Sequence, residues 1–513
     1  MKNSVNREIP ERVDNYGEVT PFNGAFTLIP TMNRQAPRVK SCLPGDIKLV
    51  DSLEEVFRRI PVKDGMTLSF HHHLRNGDYV LNMVMDTAAK LGLRNLKVAA
   101  SSIHLVHAPL VAHMKSGVVT EIDTSYLGGE AAKAVSAGIL DKPVILRSHG
   151  GRPRAIECGQ LKIDVAFIAA SAADDCGNLN GVSGPSACGS LGYAMADAEY
   201  ADWVVAVTDN LVEYPLAPIS IPQTRVDYVV RVDCIGDPKG IVSSTTNITR
   251  DPIGLRIAQT AAKVIEAAGL IKPGFSFQTG VGGASLAVAH YLGKMLEAKG
   301  VTAGFALGGI TGTMVDLLNK GLVKRIIDVQ GFDLDAVRSL ASNPDHVEIS
   351  GSFYASPFNA GCAVNRLDTV VLGATEIDVH FNVNVVTGSD GVIMGGSGGH
   401  SDAAAGAKVT VIVANLLRGR LPTVVDNVLT VTTPGETIDV LVTERGIAVN
   451  PLRQDLKKAM SDAGLPLVDI RELKEEAESI AGIPRQIVTK DRIVALVEYR
   501  DGSIIDVVRQ TEI

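Results

Sequence analysis

The sequence predicts an α/β protein built from two similar open domains with mostly parallel sheets. Three observations lead there. Glycine is abundant (50 residues) and aromatics are scarce (4%), which suits aliphatic parallel strands joined by tight turns. Short apolar runs alternate with polar or glycine loops and amphipathic stretches, the pattern of strand–helix–strand units with right-handed crossovers. The plan also occurs twice, which points to duplicated domains facing a shared cleft.

Taken in order, residues 1–45 read as an irregular arm, because Pro10, Pro21, Pro30, Pro37 and Pro44 interrupt any long element. A first domain is expected over 46–235. It opens with DGMTLSFHHHLRNGDYVLNMVMDTAAKLGLRNLKVAASS from Asp64: strand, polar loop, amphipathic helix, strand. A second domain is expected over 236–513, opening in the same way with PGFSFQTGVGGASLAVAHYLGKMLEAKGVTAGFALGG from Pro273. GVVTEIDTSYLG (117–128) echoes GLVKRIIDVQGF (321–332), and IDVAFIAASAADDCGNLNG (163–181) echoes LDTVVLGATEIDVHFNVNV (367–385). Beyond the repeat, 431–450 reads as strands and turns, and 471–481 as a charged helix. Asp501-Gly502 marks a hairpin, expected as an appendage of the second domain.

The net charge of −8 gives no nucleic-acid footprint. No apolar run is long enough for a membrane span, and the polar N-terminus lacks a signal core, so a cytoplasmic protein is expected. The six cysteines (42, 158, 176, 188, 234, 362) form no CxxC pair and read as reduced thiols, with no metal site expected.

The chemistry concentrates in Leu372–Ala407. Thr369–Leu372 reads as a strand buried on both faces. Beyond it, alternation places Glu376, Asp378, His380, Asn382 and Asn384 on one side of a strand. That is either a half-exposed strand or the wall of a site. Aligning Asp164 with Asp368 sets Ala172 opposite Glu376, so only the second half carries the acid. Two glycine loops follow strands in that half: Gly280-Val281-Gly282-Gly283, and Gly395-Gly396-Ser397-Gly398-Gly399. Glycine lets backbone N–H groups approach an anion closely, and a helix start behind the first loop would add its dipole. Neither loop matches GxGxxG or a Walker sequence, so a plain strand-to-helix turn stands beside anion binding as a reading.

A glutamate beside such loops, ionised at neutral pH with a reference pKa of about 4.3, can attack an activated acyl group, with amides holding the oxyanion. The competing role is general base for water. In the first half, His71-His72-His73-Leu74-Arg75 replaces the first glycine loop. Successive strand residues face opposite ways, so three histidines in a row seldom ligate one metal. His72, His73 and Arg75 are candidate contacts for a polycarboxylate. Arg152 and Arg154 are candidates of the same kind, with solvated charges as the simpler reading. Glu444 reads as a structural or surface carboxylate.

These segments resemble the CoA-transferase superfamily, most closely its citrate lyase α-subunit family. The likeness rests on IDVAFIAASAADDCGNLNG, FQTGVGGASLAVAHYL, LGGITGTMVDLLNKGLVKRI, GATEIDVHFNVN followed by GGSGGHSDAAAGA, and VTTPGETIDVLVTERGIA, in that order. The resemblance implies the NagB/RpiA/CoA-transferase fold. It implies exchange of acetyl for citryl on an acyl carrier protein thioester, with no permanently bound cofactor. The group acted on would be CoA or a prosthetic group derived from dephospho-CoA. The partners implied are a β subunit and an acyl carrier protein (γ) subunit, within a homo-oligomeric assembly. Glu376 would sit at the nucleophile position, Gly395–Gly399 would form the acyl or oxyanion loop, and Gly280–Gly283 would meet the CoA-type group. Citrate lyase transferases are described as using a mixed acetyl–citryl anhydride, which leaves Glu376 as nucleophile, electrostatic positioner or relic. An acetate- or butyrate-type CoA-transferase, an acyl-CoA hydrolase and a non-catalytic scaffold subunit are the alternatives.

Overall fold

The computed structural model describes residues 1–27, 32–242, 248–280, 282–485 and 487–512. Two parallel sheets carry the chain, and their strand orders coincide. Across the first run Val144–Leu146, Val119–Thr124, Leu96–Ala100, Thr67–Phe70, Val165–Ala169, Trp203–Thr208 and Tyr228–Arg231. Across the second run His346–Glu348, Val323–Gly331, Ala303–Ile310, Ser276–Thr279, Thr369–Leu372, Val409–Val413 and Val440–Val442. In each sheet the opening strand lies centrally, three strands wind outward from it, and the chain returns to wind the other way. That reversal opens a crevice at the carboxyl ends of the central strands.

The strands are aliphatic and buried because helices cover both faces. Thr369–Leu372 is buried throughout and pairs in parallel with Ser276–Thr279 and Val409–Val413. Helix Gly283–Lys299 crosses over from Ser276–Thr279 and ends at Gly300, whose φ of +62° closes the helix as glycine favours.

Glu376–Asn384 is a tight hairpin, not the continuous polar-faced strand expected from alternation. Glu376–Asp378 pairs antiparallel with Val383–Asn384. Asp378 accepts from the N–H groups of His380 and Asn382, and Phe381 adopts φ +65°, so the side chain of Asp378 turns the backbone locally. The first domain has the same hairpin, with Ala172 opposite Asn180 where Glu376 faces Asn384.

The C-terminal hairpin, Ile493–Glu498 with Ile504–Arg509, was expected on the second domain. Instead Ala495–Val497 pairs in parallel with Val144–Leu146, and the hairpin at this edge, with Leu49–Val50 beside Tyr228–Arg231 at the other, brings the first sheet to ten strands. Its Glu498 answers two buried arginines of the first domain, Arg147 and Arg154, the latter at 2.8 Å. Buried guanidinium groups need such a partner, which fixes where the hairpin docks. The N-terminal arm then covers the hairpin, packing Ile9, Val13 and Val19 against Ile145, Leu496 and Ile504. Helix Ile470–Ala481 is the charged helix expected near 471–481. No helix among the described residues is long and apolar enough to cross a membrane.

Candidate active site

The carboxyl ends of both sheets meet across a cleft of about 530 Å³. The first domain contributes His72 and Arg75 beyond Thr67–Phe70, His104 beyond Leu96–Ala100, Tyr126 beyond Val119–Thr124 and His149 beyond Val144–Leu146. The second contributes both glycine loops, with Gln278, Gln330, Tyr354 and Thr375. Among the described lining residues, Arg75 is the one Lys or Arg and no Asp or Glu is present.

Arg75 adopts φ +52°, a left-handed conformation that costs a non-glycine residue about 1 kcal/mol. Its guanidinium carbon lies 5.1 Å from the centre of the Phe332 ring, and its Nε is shut from solvent without a partner. Strain and an unanswered donor together mark a side chain held for a ligand that must be an acceptor. Burial also lowers its pKa.

The imidazoles around it are neutral. His72 joins the domains, with Nε2 3.0 Å from Gln330 Oε1, while Gln330 Nε2 donates to the His72 carbonyl at 2.9 Å. Tyr193 stacks on His72 at 5.1 Å and lies tilted against His149 at 4.4 Å, and His104 stacks on Tyr126 at 5.1 Å. Burial holds His72 and His104 well below the ordinary histidine range. Burial, with Arg75 and Arg152 nearby, pushes His149 down to about 3.

The loop Gly395–Gly399 belongs to the second domain but is seated on the first. Leu127 donates to Gly395 O at 3.2 Å, Gly398 N–H to Ser125 O at 3.2 Å, and His149 N–H to Gly398 O at 2.7 Å. At Gly396 a Cβ would collide with the Ser125 carbonyl, so the close approach requires glycine. Gly395 N–H is spent on Val386 O. Gly396, Ser397 and Gly399 line the cleft and their N–H groups have no partner among the described residues, which leaves donors available for a developing oxyanion. Helix His400–Gly406 follows the loop, and its buried Asp402 reaches into the first domain. It accepts from Ser148 Oγ at 2.9 Å and Gly150 N–H at 2.8 Å. Burial raises Asp402 to about 6, against the pull of Arg500.

Gly280, Gly282 and Gly283 also line the cleft at the start of helix Gly283–Lys299, and Gly280 N–H is spent on Val371 O at 2.7 Å. Val281 lies outside the described residues.

Several expectations are redirected. Glu376 is buried and does not line the cleft; its neighbour Thr375 does. Its carboxylate accepts from Ser389 Oγ at 2.6 Å, Asn384 Nδ2 at 3.1 Å and Leu429 N–H at 3.2 Å. A carboxylate so fully engaged is held in place and poorly disposed to attack. His73 is likewise absent from the cleft. Chain alternation turns it into the first domain with His71, where burial lowers the two rings to about 4 and about 3. Arg152 and Arg154 are not solvated charges: Arg152 grips both oxygens of Asp197 at 2.7 Å, and Arg154 holds Glu498. Glu444 is structural, accepting from Leu416 N–H at 2.9 Å. Sequence reasoning missed His104, His149, Tyr193 and Asp402. The HGG at 149–151 was the available signal, since it follows a buried strand end as HHH does.

A profile of the family described as citrate lyase, alpha subunit (CitF), matches residues 46–511. The citrate lyase alpha chain of Klebsiella pneumoniae is 51% identical over 494 residues, covering 96% of each chain. That of Haemophilus influenzae is 54% identical over 467 residues, 91% of this chain and 93% of that one. The crystal structure of the putative alpha subunit of citrate lyase from Streptococcus mutans, in complex with citrate, matches with a TM-score of 0.96 and 51% identity, covering 100% of both chains. A malonate decarboxylase alpha subunit from Acinetobacter baumannii shares the fold, with a TM-score of 0.66 at 17% identity over 86% of this chain and 94% of that one.

Proposed function

The chain belongs to the citrate lyase alpha-subunit family, and from that premise we propose that it is a citrate CoA-transferase exchanging acetyl for citryl on a thioester. The single observation that carries the reading is the charge pattern of the cleft. One unanswered arginine shares the cleft with a loop whose backbone N–H groups are free among the described residues, and no acid stands among the described lining residues. Such a site suits a polyanionic acceptor and a thioester whose carbonyl becomes an oxyanion.

Arg75 grips one citrate carboxylate while another attacks the acetyl carbonyl. The tetrahedral oxyanion rests on the N–H groups of Gly396, Ser397 and Gly399, each such donor contributing about 3 kcal/mol. The C–S bond breaks, releasing thiolate and a mixed acetyl–citryl anhydride. The thiolate then attacks the citryl carbonyl and acetate leaves, giving the citryl thioester. No proton is consumed across the two steps. The attacking carboxylate comes from citrate, so Glu376 is a positioning residue that holds Ser389, Asn384 and the Leu429 N–H. The helix start at Gly280–Gly283 faces the CoA-type group. No cofactor is held permanently. The working assembly joins this subunit to a β subunit and the acyl carrier protein, in the cytoplasm, with several copies of this chain.

The test is to incubate the purified chain with acetyl-CoA and citrate and look for citryl-CoA by mass spectrometry. Exchange is expected; its absence, with and without carrier protein, removes the reading.

A further inference from the structure

We propose that citrate enters this cleft together with a proton, which His149 accepts, so that the site holds a charge-compensated pair and not a bare trianion. The inference rests on citrate being the acceptor. Near neutral pH citrate brings three ionised carboxylates, whereas Arg75 is the one Lys or Arg among the described lining residues. The helix starts supply fractional positive charge, roughly half a unit each. A recessed site leaves the remaining imbalance costly, and an imidazole of the lining that gains a proton would relieve it.

Four histidines line the cleft, and their partners separate them. His72 is committed through Nδ1 to Ser101 and through Nε2 to Gln330. His400 is committed to Thr433 and to the Gly373 carbonyl. His104 Nε2 is enclosed without a partner, away from solvent. Among the described residues, the His149 ring is engaged only by ring contacts, tilted against Tyr193 at 4.4 Å and stacked on His72 at 5.5 Å. Its Nε2 lies beside Gly398, within the loop assigned to the oxyanion.

The groups facing His149 explain why the proton is absent before citrate arrives. Burial disfavours it and Arg75 and Arg152 repel it, while burial holds Tyr193 as a neutral phenol. Asp402 stands on the other side of Gly150 but is answered by Ser148, the Gly150 N–H and Arg500. Carboxylates placed between Arg75 and His149 reverse the local field, and proton gain becomes part of binding.

Calorimetric titration of citrate into the full chain, near neutral pH in buffers of differing ionisation enthalpy, reads the proton count. We expect about one proton taken up per citrate, with Kd rising up to roughly tenfold per pH unit above neutrality. Acetate should bind with none. His149→Gln keeps a donor but cannot ionise. It should abolish the uptake, flatten the pH dependence and raise the citrate KM more than it lowers kcat. Buffer-independent heats in the unmodified chain overturn the inference, as does unchanged uptake in His149→Gln. If citrate gives no heat at all, the premise of a citrate acceptor fails and the inference falls with it, a failure the exchange assay registers separately.

Discussion

Replacing Arg75 with methionine should move binding and stability in opposite directions. The guanidinium has a solvent-shielded Nε without a partner and lies over Phe332. Losing its charge-assisted bonds to citrate should cost about 3 to 4 kcal/mol, or two to three decades in affinity. The empty protein loses an unanswered donor, whose burial is costly, and a cation–π contact worth about 0.5–1 kcal/mol, while methionine retains apolar contact with Phe332. Its melting temperature should stay level or rise by about 1–2 °C. Scanning fluorimetry with and without citrate reads both quantities. At citrate one hundred times the unmodified Kd, the unmodified chain gains about 2.7 kcal/mol from mass action, and the variant about 0.3. A variant that melts lower when empty, or keeps its full citrate shift, would refute the assignment of Arg75 as an anion receptor.

Glu376→Gln keeps the shape of a carboxylate held by three donors, so exchange should fall by less than about tenfold. Abolished exchange in a folded variant, or a glutamyl thioester trapped by hydroxylamine, would restore a nucleophilic role. Gly396→Ala places a Cβ against the Ser125 carbonyl, so the glycine loop must lift from the first domain. Exchange should drop about a hundredfold, as for loss of an oxyanion donor, with far-UV circular dichroism unchanged. For Asp402 the folded pKa of about 6 lies above its unfolded value. Its contribution is therefore most favourable below pH 4 and declines as pH rises toward 6. The loss is about 2–3 kcal/mol, and Asp402→Asn should lack that slope in urea midpoints measured from pH 4 to 7. Equal slopes in the two proteins would remove the argument.

The duplicated plan was legible because it is local: buried aliphatic strands and crossover helices announce themselves by period. Glycine positions were legible too, since Gly396 and Gly399 are required by close approach to Ser125 and Tyr354. Pairing across the domains was not. Alternation read 376–385 as one strand, because nothing in the period shows that Asp378 turns the chain back on itself. The same blindness made Arg152 and Arg154 look solvated, since Asp197 and Glu498 lie 45 and 344 residues away. The lone acid at Glu376 marks the difference between halves, yet no Asp or Glu stands among the described residues that line the cleft. A missing residue type in a wall assembled from two domains has no linear signature.

The docking of Ile493–Arg509 on the first sheet sets the order in which the protein can be completed on the ribosome. The strand Val144–Leu146 waits through more than half the chain's synthesis before its neighbour emerges. During that interval the nascent first domain carries a bare strand edge, with Arg147 and Arg154 still lacking Glu498. A chain interrupted before Ile493 would keep that edge unpaired, the kind of open strand that templates aggregation.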